Sequence, residues 1–189
     1  IRFLDGQIER LNREVEERMR PFEKAVEAID GIPGIGRRIA EEVLAETGTD
    51  MAQFPSAAHL ASWAGVCPGN NESAGKRKSG RTRKGNPHLR QAVVEAAHAA
   101  ARTKDTYLSS QYHRIAARRG SKRAAVAVAH TILIIIYHIL KEHTTYRDLG
   151  ADHFDKLNQD AAARRAIKKL EALGYKVTLE PLSALECSA

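Results

Sequence analysis

A run of residues without a formal charge, Ala124–Leu140, limits the folds open to this chain. It is rich in alanine, contains Leu133–Ile136, and is close in length to the roughly 17 to 25 residues of a transmembrane helix. His130, Thr131 and His138 interrupt it, and charged residues stand close on both sides. We therefore expect a fully buried helix at the centre of an α-helical domain rather than a membrane span.

Helical spacing of apolar residues recurs on both sides of this segment and predicts an all-α fold. Segments with this helical spacing cover residues 89–100, 107–116 and 158–173. Trp63 is the only tryptophan and is interpreted as an anchor of the core, while Tyr175–Leu179 favours an extended arm. We expect three parts: a coiled-coil-type pairing helix in residues 1–28, a helical domain in 29–150, and a C-terminal helix with an extended tail in 151–189.

The N-terminal residues carry a heptad pattern, with apolar side chains at a three-four spacing and charged side chains between them. The apolar positions are Ile1, Leu4, Ile8, Leu11, Val15, Phe22 and Ile29. This pattern predicts a long helix that pairs with a second copy of the chain, giving a homo-oligomer, or with a helix in a preceding part of the protein. We expect such a part because the chain opens on Ile1 rather than Met. The alternative is an amphipathic helix packed on its own domain.

A glycine-rich turn, Ile32–Gly36, stands before an amphipathic helical pattern. It resembles the helix-hairpin-helix motif, in which backbone amides at a helix start contact a DNA phosphate. We therefore expect nucleic-acid contacts from Gly34, Gly36, Arg37 and Arg38. The alternative is a structural connection between two helices that does not touch DNA.

The stretch Glu72–Arg90 is strongly cationic and has no acidic residue after its first position. Its expected phosphate-binding residues are Lys76, Arg77, Lys78, Arg81, Arg83, Lys84 and Arg90, and a second cluster around Gly120 adds Arg118, Arg119, Lys122 and Arg123. Together with a formal net charge of +7, these clusters favour a polyanionic partner, nucleic acid before an anionic membrane surface. We expect a flexible loop that binds phosphates. The alternative is a solvated basic loop without a ligand.

Two serines in this stretch, Ser73 and Ser79, carry hydroxyls that could attack a phosphodiester, although serine also suits turns. Cys67 and Cys187 are far apart, which argues against a disulfide framework and favours a reducing compartment such as the cytoplasm. Cys67 is interpreted as a small buried residue. The eight histidines show no ligand-like spacing, so we expect this chain to bind no metal ion or other cofactor.

Five segments, in order through nearly the whole chain, resemble the C-terminal part of the insertion-sequence transposases of the IS110/IS116 family, which includes the pilin-gene invertase. The segments are Ile32–Gly36, Phe54–Gly69, Glu72–Ala97, Tyr112–His130 and Gly174–Pro181. So many ordered matches make the resemblance more specific than any single motif.

The resemblance implies a DNA recombinase of two domains. An N-terminal RuvC-like domain carries four acidic ligands for a divalent metal ion such as Mg²⁺, and a C-terminal domain supplies a serine that attacks DNA. Ser73, in Ser73-Ala74-Gly75, matches that serine and is preferred to Ser79 on this ground. Some members of the family are guided by a structured RNA.

The acidic domain that the resemblance implies is not found within these residues. We therefore expect this chain to bind DNA without cutting or joining it alone. A non-catalytic nucleic-acid-binding module and a dimerisation module are the alternatives from other functional classes. We expect no membrane partner.

Overall fold

The computed structural model describes residues 2–69 and 71–178, apart from the side chains of Asn71, Arg77 and Lys78. Within these residues the fold is mostly helical, as the sequence predicts. The helices are α1 (Arg2–Met19), α2 (Glu23–Asp30), α3 (Arg37–Thr47), α4 (Ala57–Trp63), α5 (Pro87–Ala100), α6 (Tyr107–Arg119), α7 (Ser121–Glu142), α8 (His153–Lys156) and α9 (Gln159–Ala172). Strands β1 (Asn71–Ser73) and β2 (Lys76–Ser79) form a hairpin that the all-α prediction did not include. The chain divides into two compact units, Ile1–Ala151 and Asp152–Ala189.

Helix α7 is the central element of the first unit and packs against α2, α4, α5 and α6. It begins after Gly120 and ends at His143, which adopts a left-handed conformation with φ of 51°. By length and composition alone it could cross a membrane. Its buried side chains instead point in several directions into the helical core, from Ala124 and Ala125 through Ile132 and Leu133 to Leu140. The prediction of a buried central helix is confirmed.

The turn between α2 and α3 lies directly on α5 because Gly34 has no side chain. A Cβ atom at Gly34 would stand 2.4 Å from both the Ala96 carbonyl oxygen and the Ala100 amide nitrogen. Gly34 also has a φ of 89°, which residues with a side chain rarely adopt. The buried alanines of α5 complete this close contact between backbones.

The N-terminal helix is shorter than the predicted one. Helix α1 gives way to a 3₁₀ turn at Arg20–Phe22, because Pro21 lacks an amide hydrogen and its ring disfavours a continuous α-helix. Helix α2 then joins the core, with Ile29 fully buried, so the predicted heptad does not extend to this residue.

Helix α1 exposes its apolar stripe. Leu4 is 62% and Leu11 59% exposed, and Met19 is the one buried residue of the helix among those described. Packing of α1 on its own domain, the alternative interpretation of the heptad, is therefore not what the structure shows.

Trp63 is 41% exposed, so its interpretation as a core anchor is wrong. Leu60 and Ala61 of the short helix α4, with Ala64 directly after it, are the buried residues here, which leaves the indole to one side of the core. The indole packs against Phe54, with the two ring centroids 5.7 Å apart.

The second unit contains α8 and α9, and α9 occupies the predicted helical region. A salt bridge of 3.0 Å joins Arg165 to Asp155. Residues 175–178 have no regular secondary structure. The end of the predicted arm at Leu179 lies outside the described residues, as does Cys187.

Candidate nucleic-acid interface

The C-terminal part of the cationic stretch, residues 85–90, packs against the core and is not a free loop. A Cβ atom at Gly85 would stand 2.3 Å from the Gly65 amide nitrogen and 2.5 Å from the Trp63 carbonyl oxygen. The Asn86 amide donates a hydrogen bond of 3.0 Å to the same Trp63 oxygen. Arg90 donates to the Gly65 carbonyl at 2.8 Å. The prediction of a flexible loop is therefore wrong for this part, because glycine allows two backbones to meet.

The N-terminal part of the stretch is the hairpin of β1 and β2. Its strands pair antiparallel, with Ser73 opposite Lys76. The turn residues Ala74 and Gly75 have φ values of 51° and 72°, the pattern of a tight two-residue turn between twisted strands. Alanine is strained in this conformation, so the turn holds a less favourable backbone than glycine would. The exposed Ser73 side chain flanks this turn.

The two candidate serines stand in different surroundings. Ser73 is exposed, and its hydroxyl, unlike its backbone, makes no hydrogen bond to a residue that the structure describes. Ser79 is half-buried, and its hydroxyl oxygen accepts a hydrogen bond of 3.1 Å from the Arg81 amide. Ser79 thus has the local role in a turn that short polar side chains often have. Ser73 has the freer hydroxyl.

A groove of about 1290 Å³ is lined by one residue of the first basic cluster and three of the second. Arg81 comes from the middle of the cationic stretch, just after β2, and Arg119, Lys122 and Arg123 come from the junction of α6 and α7. All four side chains are exposed, and no carboxylate occurs among the described residues that line the groove. Fixed positive charge without nearby acid produces a potential that attracts polyanions.

The start of α7 adds a second source of positive potential at the rim of the groove. Gly120 precedes the helix with a φ of 83°, and no side chain caps the first turn. The amide groups of a helix start carry partial positive charge and bind anions such as phosphate. Lys122 and Arg123 lie in this first turn, so backbone and side chains act on the same region.

The floor of the groove, which comes from the middle of α6 and α7, contains polar side chains among apolar ones such as Val126. The Gln111 Nε2 atom donates to the Thr131 hydroxyl at 3.0 Å, and this hydroxyl lies 3.2 Å from the Ala127 carbonyl, to which it donates. The Gln111 Oε1 atom is buried without a hydrogen-bond partner. Burial lowers the pKa of His130 from its ordinary value, which favours the neutral ring.

Sequence reasoning did not assign a site role to these floor residues. The available signal was the pair His130 and Thr131 inside an otherwise apolar helix, which we treated only as evidence against a membrane span. Gln111 gave no signal, because a glutamine among polar residues of an amphipathic helix is ordinary.

Several predicted phosphate-binding residues have partners within the protein. Arg37 binds Glu23 at 2.6 and 2.9 Å and Glu41 at 2.9 Å, which raises the pKa of Arg37 and lowers that of Glu23. Arg38 stands 3.7 Å from Glu42 and is mostly exposed. Gly36 opens helix α3 with free space around it, whereas Gly34 packs on α5. Of this cluster, Gly36 and Arg38 are the residues that stay accessible.

The other predicted phosphate-binding residues also include some that have partners within the protein and some that are exposed. Arg90 donates to the Thr82 hydroxyl at 3.1 Å in addition to the Gly65 carbonyl, so its guanidinium joins the stretch to the core. Arg118 donates to the Arg114 carbonyl at 3.3 Å. The side chains of Lys76, Arg83 and Lys84 are exposed outside the groove lining. Arg77 and Lys78 lie in β2, and their side chains are outside the described set.

Cys67 and the acidic residues do not form a second site. Cys67 is partly buried, and burial raises the pKa of its thiol, in agreement with a packing role. Within residues 2–69 and 71–178, no group of three or more His, Cys, Asp and Glu side chains could hold a metal ion. The described residues therefore do not fit the divalent metal that the resemblance implies.

Comparison with known proteins places this geometry in context. Residues 26–114 match the domain described as Transposase IS116/IS110/IS902 family. The chain is 32% identical over 139 residues to the transposase for insertion sequence element IS1111A of Coxiella burnetii, covering 70% of this chain and 38% of that protein. It is 36% identical over 149 residues to the insertion element IS900 uncharacterized 42 kDa protein of Mycobacterium paratuberculosis, covering 76% and 36%. It is also 32% identical over 121 residues to the insertion element IS110 uncharacterized 43.6 kDa protein of Streptomyces coelicolor, covering 62% and 29%. The matches thus span well under half the length of each relative.

Proposed function

Because this chain belongs to the IS116/IS110/IS902 family of transposases, we propose that it is the DNA-handling part of a transposase and holds DNA phosphates in its basic groove. One observation carries the proposal. Arg81 and the Arg119–Arg123 cluster are distant in sequence but line the same groove, which contains no carboxylate among its described residues. A solvated basic loop without a ligand would not need its arginine to line the same groove as basic residues from a distant part of the chain.

The four groove cations set the expected strength of the salt effect. Each phosphate contact releases condensed counterions, so four contacts predict a slope of about −3.6 for log K against log salt concentration on duplex DNA. Raising the salt from about 50 to about 200 mM then weakens binding roughly 150-fold. A dimerisation module with an incidental basic surface has no such slope.

The test is DNA binding measured by fluorescence anisotropy across this salt range. Replacing both Arg119 and Arg123 with alanine reduces the magnitude of the slope by about 1.8, because two phosphate contacts are lost. The matched control replaces Arg102 and Lys104 with alanine, because both are exposed near the end of α5 and lie outside the groove lining. Equal slopes for the two double variants would refute the groove as the phosphate-binding surface. A structured RNA is titrated in parallel to test RNA as a partner.

We further propose that Ser73 is the serine that attacks DNA in the complete transposase. In that step Oγ forms a bond to phosphorus, a bond from phosphorus to a deoxyribose oxygen breaks, and that oxygen takes up a proton as Oγ loses one. The support is the match to the family signature together with an exposed hydroxyl beside a tight turn. The divalent ion implied by the family is assigned to other parts of the protein, since the described residues of this chain offer no cluster for it.

The full-length transposase tests this assignment through the covalent protein–DNA adduct. Ser73→Ala removes the adduct, and mass spectrometry of the wild-type adduct identifies Ser73 as the attached side chain. Ser79→Ala serves as the matched control and retains the adduct. Recombination that survives Ser73→Ala would make this serine structural.

The exposed stripe of α1 favours a second role, pairing of two chains. Leu4, Ile8, Leu11 and Val15 are 43 to 62% exposed at heptad spacing. An apolar seam of this kind is typical of helices that associate. Mass measurement by light scattering tests the proposal. The Ile8→Glu and Leu11→Glu double variant shifts the chain to a monomer, whereas Arg13→Glu on the same helix does not.

The turn between α2 and α3 supports a smaller, additional DNA contact of the helix-hairpin-helix kind. The amides that follow Gly36 at the start of α3 are accessible to a phosphate, with Arg38 exposed beside them. Arg38→Ala therefore weakens DNA binding. Arg37→Ala mainly lowers the free energy of unfolding, because Arg37 already binds carboxylates within the protein. Equal DNA affinity for wild type and Arg38→Ala would contradict this contact.

A further inference from the structure

The floor of the basic groove contains a hydrogen-bond acceptor that the protein itself does not use. The Gln111 Oε1 atom is buried and has no partner, although its own Nε2 atom is bonded to Thr131. Buried polar atoms are nearly always satisfied, so an exception requires an explanation. Gln111 lines the cationic groove, so a nucleic acid bound there is a candidate source of the missing hydrogen-bond donor.

The surrounding hydrogen bonds settle which end of the amide is unsatisfied. The Thr131 hydroxyl has one hydrogen, which it donates to the Ala127 carbonyl. The hydroxyl can then only accept from Gln111, so the amide must direct its NH₂ group toward Thr131. With the Thr131 hydroxyl donating to Ala127, the Gln111 oxygen is left without a donor, and this conformation is less stable than a fully paired one.

Phosphate groups cannot supply what this oxygen lacks. A phosphodiester offers only acceptors, and the four cations of the groove already serve those. The hydrogen-bond donors on a nucleic acid are the amino groups of bases and, in RNA, the ribose 2′-hydroxyl. A carboxamide carries a donor and an acceptor side by side, the arrangement that pairs with the N6 and N7 atoms of adenine.

We propose that the Gln111 amide turns into the groove when nucleic acid binds and accepts a hydrogen bond from a donor group on the bound strand. This makes the groove selective for a base or a sugar in addition to binding phosphate. The inference rests on the proposed DNA-binding function and extends it. Gln111 would distinguish one base or sugar from another, whereas Arg81, Arg119, Lys122 and Arg123 would bind the phosphates of any sequence. The unsatisfied resting conformation makes the release of the amide from Thr131 less costly.

The test compares wild type with Gln111→Met, which keeps the length of the side chain and removes the amide. The probe is a pool of DNA duplexes with a randomised central segment, bound by the whole chain, recovered and sequenced. Wild type enriches one base at one position about 5- to 150-fold, and Gln111→Met loses this preference while keeping its salt slope. A parallel pool of RNA duplexes identifies the source of the donor, since loss of a preference for RNA over DNA points to the 2′-hydroxyl.

The outcomes separate this inference from the function on which it rests. Salt-dependent binding with the same sequence and sugar preferences in wild type and Gln111→Met overturns the role of Gln111 and leaves the phosphate groove intact. Binding without salt dependence in both proteins overturns the groove itself. Urea unfolding serves as the control for folding, and we expect Gln111→Met to be at least as stable as wild type because it removes a buried unsatisfied oxygen.

Discussion

Gly85→Ala tests whether the cationic stretch depends on the close contact with the core. The new Cβ atom would stand 2.3 Å from the Gly65 nitrogen, 2.5 Å from the Trp63 oxygen and 2.6 Å from the Ala64 carbonyl carbon. All three are backbone atoms, so no side chain can turn aside. The two segments must separate by about 1 Å to reach ordinary van der Waals distances.

This separation weakens the hydrogen bonds that cross the contact. The bond from the Asn86 amide to Trp63 contributes about 1 kcal/mol, and the charged bond from Arg90 to Gly65 about 2 kcal/mol. The sum of about 3 kcal/mol is at the upper end of the range for overpacking. For a chain of this size, it corresponds to a fall in Tm of roughly 6 to 12 °C.

Urea unfolding followed by circular dichroism measures this loss of stability. Gly31→Ala is the matched control, because the nearest atom to its added Cβ is the Ala28 carbonyl oxygen at 3.8 Å. The control variant keeps the stability of wild type to within about 1 kcal/mol. A free energy of unfolding for Gly85→Ala within about 0.5 kcal/mol of the control would refute the close contact.

Three further predictions concern individual side chains. Asn86→Ala removes the cap of α5 and the hydrogen bond to Glu46, and we expect urea unfolding to show a loss of about 1 to 2 kcal/mol. Burial in the folded state lowers the pKa of His130, so protonation favours the unfolded chain and stability falls as the pH drops below about 6.5. We expect His130→Gln to lose less stability than wild type between about pH 7.5 and about pH 5.5, a range that brackets the ordinary pKa of histidine. Burial and the hydrogen bond to Asp148 raise the pKa of Tyr146 above its ordinary value, so its contribution to stability is present below about pH 10 and is lost as the pH rises further. Absorbance titration then shows fewer tyrosines ionising near pH 10 in wild type than in the unfolded chain. Tyr146→Phe reduces this difference, and a smaller part remains because burial also raises the pKa of Tyr107.

Features that depend on neighbours in sequence were predictable. The uncharged run became the buried helix α7, and the helical spacing in residues 89–100 became α5, whose first turn is capped by the Asn86 side chain accepting from the His88 and Leu89 amides. Hydrophobic periodicity and capping operate within a few residues, so the sequence contains them directly. The excess of positive charge was likewise visible from composition.

Features that depend on long-range packing were not predictable. Arg37, Arg38 and Arg90 carry the same charge in the sequence, but Arg37 and Arg90 bind groups within the protein and Arg38 is mostly exposed. Trp63 was assigned to the core because a large aromatic side chain is usually buried there, whereas the alanines and Leu60 of α4 fill that face.

Local sequence thus determined that this chain forms helices around an apolar centre and carries basic segments. The tertiary structure decided which basic residues meet, because it places Arg81 across a groove from Arg119, Lys122 and Arg123. The packing of α6 against α7 sets Gln111 beside Thr131 beneath them. The periodicity of a helix sets the face on which a residue lies. The partner of that face depends on how distant segments fill the space around α7.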